Sequence, residues 1–153
     1  MRLTISMRIA PLLLVLLLLT LVTRSGATAP QRPLPNPVLY LMGTVPVQSG
    51  GKEFIRYTYD VLNKAAYPAA MFAAAPDLPP CGANTKSSRS WVDFFDQRGK
   101  RLYGFCAMSK PDDLTGIWFA LPSDIVPPSY VYIEISDRQT NTKYKSNLAD
   151  TTP

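Results

Sequence analysis

Glu53-Phe54-Ile55-Arg56-Tyr57-Thr58-Tyr59-Asp60-Val61-Leu62 is the stretch that decides the fold. Ile55, Tyr57, Tyr59 and Val61 fall on one side of a period of two, and Arg56, Thr58 and Asp60 on the other. Successive side chains of an extended chain point to opposite faces, so β-branched and aromatic residues in this alternation predict a half-buried strand. Tyr130–Ser136 repeats the pattern, with Val131, Ile133 and Ile135 inward and Tyr132 and Glu134 outward. Two such apolar faces are expected to pack against each other.

The same signal extends in both directions. Val38–Val47 reads as a strand, and Pro46, which cannot donate to a ladder, places it at a sheet edge. Ser49-Gly50-Gly51 turns the chain into the next strand. Ser90–Asp96 and Lys100–Met108 form a hairpin across Asp96-Gln97-Arg98-Gly99, with Gly99 supplying a positive φ. Ile117–Leu121 is a short strand before Pro122, and Thr142–Ser146 carries the edge-protecting Lys143 and Lys145. The expectation is an all-β chain, a single antiparallel β-sandwich of about seven strands over residues 38–150. Asn63–Ser88 resists this pattern: four prolines interrupt it, and Ala69–Ala75 accommodates either a turn or two of helix or a short bent strand.

The first 27 residues have a different character. Arg2 and Arg8 precede an apolar run, Ile9–Val22, with seven leucines between Leu12 and Leu19, and Ser25-Gly26-Ala27 offers small residues for cleavage. This is the pattern of a secretory signal peptide, and the apolar run is short for a bilayer-spanning helix, which needs roughly 20 residues. The chain is therefore expected to be exported, periplasmic or extracellular, touching a membrane only through the leader if that is not cleaved. Residues 28–37 hold four prolines and read as a semi-rigid linker.

Composition excludes several chemistries. The chain has no histidine, which removes the usual general base, metal ligand and partner of a nucleophilic Ser or Cys. Without the leader's Arg2, Arg8 and Arg24 the net charge falls from +5 to +2, giving no electrostatic case for nucleic acid. No EF-hand loop, P-loop or dinucleotide fingerprint occurs, so neither metal nor cofactor is expected. Cys81 and Cys106 are an isolated pair, and in an oxidising compartment they are expected to form a disulfide rather than a reactive thiol, which would lack an activating histidine.

The candidate sites are few. Asp112 and Asp113 are explained by the start of a helical turn after Pro111. Arg89 and Arg138 flank strands, suited to bonding loop carbonyls or pairing with an acid such as Asp137. The aromatics are more suggestive: all 16 lie after the leader. Trp91, Tyr103, Trp118 and Tyr132 are the candidate ligand-facing rings, set against the plainer reading of core and cross-strand pairs.

Asn63 with Tyr67-Pro68, Leu78-Pro79-Pro80-Cys81-Gly82, Ser88-Arg89-Ser90-Trp91-Val92, Leu102-Tyr103-Gly104-Phe105-Cys106, Trp118-Phe119-Ala120-Leu121-Pro122 and Val131-Tyr132 with Asp137-Arg138 together resemble small exported bacterial domains of immunoglobulin-like or fibronectin type III-like architecture. That resemblance, over roughly Val38 to Leu148, implies a non-enzymatic module with a binding or structural role toward a protein or carbohydrate partner. It implies no catalytic residue. Carbohydrate binding through exposed aromatics is the alternative, and a carboxylate-dependent hydrolase ranks last because no two acids share a strand face.

Overall fold

A computed structural model describes residues 33–79, 87–106 and 109–153. The leader expected over 1–27, residues 28–32 of the 28–37 linker, and Cys81 lie outside the described residues. The compact unit runs from Leu34 to Pro153.

Eight strands form two antiparallel sheets, and no α-helix occurs among the described residues. The strands are β1 (Leu39–Ser49), β2 (Lys52–Val61), β3 (Ser90–Asp96), β4 (Arg101–Cys106), β5 (Thr115–Pro122), β6 (Tyr130–Asp137), β7 (Thr142–Lys145) and β8 (Ala149–Asp150). One sheet has the order β1-β2-β5; the other has β4-β3-β6-β7, with β8 also pairing β6. All seven strands expected from the alternation are present, and β8, two residues long, is the addition. β1 is indeed an edge strand, with Pro46 opposite Ile55.

Local chemistry explains the connections. Ser49 pairs Lys52 across Gly50 and Gly51, whose φ values of 56° and 74° suit a two-residue hairpin turn matched to strand twist. In the β3–β4 turn the Asp96 carboxylate accepts from the amides of Arg98 and Lys100, both at 2.9 Å. Along β6 the ladder continues through a side chain where β7 gives way to β8: the Ile133 amide donates to Ser146 Oγ at 2.9 Å.

The two sheets meet across one core. Tyr57, Tyr59 and Val61 of β2 are buried in the expected phase, with Ile55 partly so, and Val131, Ile133 and Ile135 of β6 are fully buried. Aromatic rings knit the sheets together: Phe94 of β3 lies 5.6 Å from Tyr59 and 5.2 Å from Phe119 of β5. Such pairs add about 0.5–1.5 kcal/mol each beyond the area they bury.

The proline-interrupted region contributes to this core. Lys64–Ala66 and Ala69–Phe72 are 3-10 turns, so Ala69–Ala75 takes the helical option for one turn, and Met71 and Phe72 are fully buried. Two bonds then clamp the loop at its neck, Ala75 N–H to the Ser87 carbonyl at 3.2 Å and Arg89 N–H to the Ala73 carbonyl at 3.3 Å, and together they make an antiparallel bridge between Ala74 and Ser88. Leu34–Pro37 is also docked rather than acting as a free spacer. Pro37 is buried, Leu34 packs on the core, and Asn63 bonds both the Val38 amide and the Asn36 carbonyl at 2.8 Å.

Candidate binding surface

The four candidate aromatics have four different surroundings. Trp118 and Tyr103 are 44% and 43% exposed, and their rings lie 6.0 Å apart at an interplanar angle of 16°. Topology brings them together. β5 and β4 are the outermost strands of their sheets on the same side of the molecule, so a side chain leaning over each edge meets the other. Register assigns Tyr103 to the inner face, opposite Phe94, and Trp118 to the outer face, opposite Thr58. The stack therefore spans the open seam between the sheets.

A shallow groove of about 300 Å³ lies beside the stack, lined by Tyr103, Phe105, Asp113, Gly116, Ile117 and Trp118. Its backbone is shaped by a bulge: Tyr59 pairs Ile117 and Asp60 pairs Thr115, leaving Gly116 as the extra residue at φ 69°. No side chain crowds that position. Asp113 sits in the 3-10 turn Pro111–Leu114, where its Oδ2 accepts from the Ser109 amide, the Ser109 hydroxyl and the Lys110 amide at 2.6, 2.9 and 3.1 Å. The Ser109 amide bond above all holds its carboxyl below the usual carboxylate range. Asp113 is thus a structural cap that also presents a fixed anion to the groove.

Arg56 completes the surface, and sequence reasoning passed over it. Its guanidinium lies 5.9 Å from the Trp118 ring, and its Nε is buried with no hydrogen-bond acceptor. The only sequence signal was a cation in the outward phase of β2; its neighbours on β1 and β5 are set by register, which the sequence does not display.

The other two aromatics are engaged elsewhere. Tyr132 is only 7% exposed, stacked on Phe95 at 5.2 Å and covered by the Lys145 ammonium at 4.0 Å, so it presents no free ring face. Its outward phase was correct, but outward did not mean exposed. Trp91 is half-buried: its indole N–H donates to Asp93 at 2.7 Å, and Arg101 both pairs with Asp93 at 2.6 Å and lies 5.8 Å from the indole. Gly104 is the floor of this cluster, since a methyl group there would overlap the Arg101 guanidinium and the Asp93 carboxylate.

The charged candidates take structural roles. Arg89 grips Asp137 through two bonds, at 2.8 and 2.6 Å, and Arg138 donates to the carbonyls of Ser88 and Pro79 at 2.8 and 2.7 Å. The Arg89 guanidinium holds the Asp137 carboxyl below its usual range. Cys106 is buried at the end of β4, opposite Trp91, and no cysteine among the described residues is free. Glu53 and Asp124 share the rim of an open depression with Lys52 and Ser123, and both are solvent-exposed. Among the described residues no cluster of His, Cys, Asp and Glu could hold a metal ion, and no helix is long and apolar enough to cross a membrane.

Comparison with protein-family models, curated proteins and solved structures found no match.

Proposed function

We propose that the chain is an exported, non-catalytic binding module of immunoglobulin-like or fibronectin type III-like type, which contacts its partner through the Arg56–Trp118–Tyr103 surface. The observation that carries this reading is the exposed Tyr103–Trp118 stack across the seam. What sets these rings apart from other exposed apolar side chains is that they are stacked on each other beside Arg56, and Trp, Tyr and Arg are the residues that anchor interfaces. The strand order supports the family assignment. The first, second and fifth strands share one sheet while the third, sixth and seventh share the other, as A, B, E and C, F, G do in immunoglobulin sandwiches, and β4 joins the second sheet as an added strand does in variable domains. Export rests on the leader pattern of residues 1–27.

A second reading, carbohydrate binding, draws on the groove beside the stack. Ring faces for sugar C–H groups and an Asp113 carboxylate for hydroxyls stand on one wall.

The test is a binding screen of the mature domain, from Thr28, on glycan and peptide arrays, with Trp118→Ala and Tyr103→Ala as controls. Binding lost in both variants, with an unchanged melting temperature, is the expected result. Turnover of a glycoside, ester or peptide substrate, abolished by Glu53→Gln or Asp124→Asn in a folded protein, would overturn the non-catalytic reading.

A further inference from the structure

The outer faces of the two sheets differ in how their charges are satisfied. On the face of β4-β3-β6-β7, Arg101 is paired with Asp93, Lys143 with Glu134 at 3.1 Å, and Lys145 lies over Tyr132. That face meets its own electrostatic needs.

The face of β1-β2-β5 does not. Register builds it in rows: Val47, Phe54 and Pro122; then Val45, Arg56 and Ala120; then Gly43, Thr58 and Trp118. Arg56 is thus a single cation between Val45 and Ala120, with Phe54 one row away and Trp118 against its guanidinium. Among the described residues no carboxylate pairs with it and none gives its enclosed Nε an acceptor. The nearest acid in the outward phase of β2, Asp60, is already held by Lys64 at 2.9 Å. The enclosed Nε is out of reach of a docking group, but the outer guanidinium nitrogens of an unpaired Arg56 in an apolar surround are complemented best by an anion.

We infer that this face docks a protein partner that places an Asp or Glu carboxylate, ringed by apolar side chains, on Arg56. The inference rests on the binding-module reading and names the chemistry of its partner. A second copy of this chain fits poorly, because a two-fold pairing of this face would bring two Arg56 side chains together with no acid between them. An anionic membrane calls for a cluster of basic residues, and these rows hold one. Val45, Val47, Ala120 and Pro122 offer sugar hydroxyls no side-chain donor or acceptor.

The experiment selects a phage-displayed random peptide library on the mature domain and measures the winners by calorimetry against wild type, Arg56→Met and Trp118→Ala. The expected winners carry an acid flanked by apolar residues and weaken about tenfold or more on Arg56→Met, the scale of a coupled charge pair. Replacing the peptide's acid by its amide should cost the same on wild type and nothing further on Arg56→Met. Winners that depend on Trp118 but are indifferent to Arg56 would overturn the carboxylate inference and leave the binding-module reading standing. Winners indifferent to both variants would overturn both. Glycan binding lost only in Trp118→Ala, or a dimer in sedimentation abolished by Arg56→Glu, would also overturn the inference. Because Arg56 makes no ion pair or hydrogen bond with a described residue and only rests on the Trp118 ring, Arg56→Met, which keeps an apolar stem there, should leave the melting temperature nearly unchanged; a drop of several degrees would mark Arg56 as structural and defeat the proposal.

Discussion

The Tyr67 hydroxyl donates to the carbonyl of Pro35 at 2.7 Å, fastening the chain's entry into the domain to the segment that leaves β2. The same ring is buried and meets Tyr144 of β7 edge-on at 5.9 Å, so one side chain joins three parts of the chain. Tyr67→Phe removes the bond but keeps the ring, and should cost about 1 kcal/mol in urea unfolding. A domain begun at Val38, lacking Leu34–Pro37, should lose more than that, because Pro37 and Leu34 leave apolar contacts unfilled. Equal stability of the two lengths would show that the segment is only a spacer.

The Arg89–Asp137 pair sets the acid limit of the fold. Asp137 has a folded-state pKa below its unfolded value, for which about 3.9 is the reference. Its contribution is therefore complete above about pH 4 and is lost as pH falls through the depressed folded value. Asp137→Asn should destabilise the protein by about 2–3 kcal/mol at pH 7, and the gap to wild type should narrow below about pH 4. At the alkaline end, burial raises the pKa of Tyr59 and Tyr67, so stability should be constant up to about pH 10 and fall beyond it as the unfolded phenols ionise first. Denaturant midpoints across pH check both limits.

Much of this was legible along the chain. The strands announced themselves because β2 and β6 each bury one face and wet the other, which forces a period of two. Pro46 identified an edge for the plain reason that it has no N–H. Met71 and Phe72 were not legible as core, because a single 3-10 turn between prolines has no period to display. Leu34–Pro37 hid in the same way, since a docked extended segment looks like a linker in composition. The proposed surface was half visible: Trp118 and Tyr103 drew notice as aromatics, but their stacking depends on two strands that pair in different sheets both being edges. Tyr132 was misleading, because Phe95 and Lys145 cover an outward position that the strand pattern leaves open.

Gly104 is where the smallest change should have a readable effect. Gly104→Ala pushes a methyl group into Arg101 and Asp93, and Arg101, being largely exposed, can swing away. The cost should therefore sit near the low end of overpacking, about 1 kcal/mol. The clearer signal is spectroscopic: Trp91 loses its cover, so acrylamide quenching of tryptophan fluorescence should increase. Trp118→Phe as background isolates the Trp91 signal.

On the export proposal, Cys81 and Cys106 should be bonded to each other. Mass spectrometry after alkylation should show no modification without reductant and two modified thiols with it. By the loop-entropy relation, a closed loop of 26 residues contributes roughly 3–4 kcal/mol, so a Cys81→Ser, Cys106→Ser double variant should unfold at correspondingly lower denaturant.

The chain enters and leaves the domain at opposite ends. β1 begins beside Val61 and Asn63, whereas the Thr151 amide bonds the Ser129 carbonyl at 3.2 Å, next to the loop that follows β5. Tension applied along the molecule therefore loads the β1–β2 ladder in shear, and its ten paired positions must slide together rather than unzip in turn. The other grip is shorter: β8 holds β6 through two pairs, backed by side-chain and backbone bonds from Asn147 to Leu39, from Tyr59 to Asp150 and from Thr151 to Pro128 and Ser129. Under a pulling load, the last strand is expected to yield first and the long hairpin that carries Arg56 to outlast it.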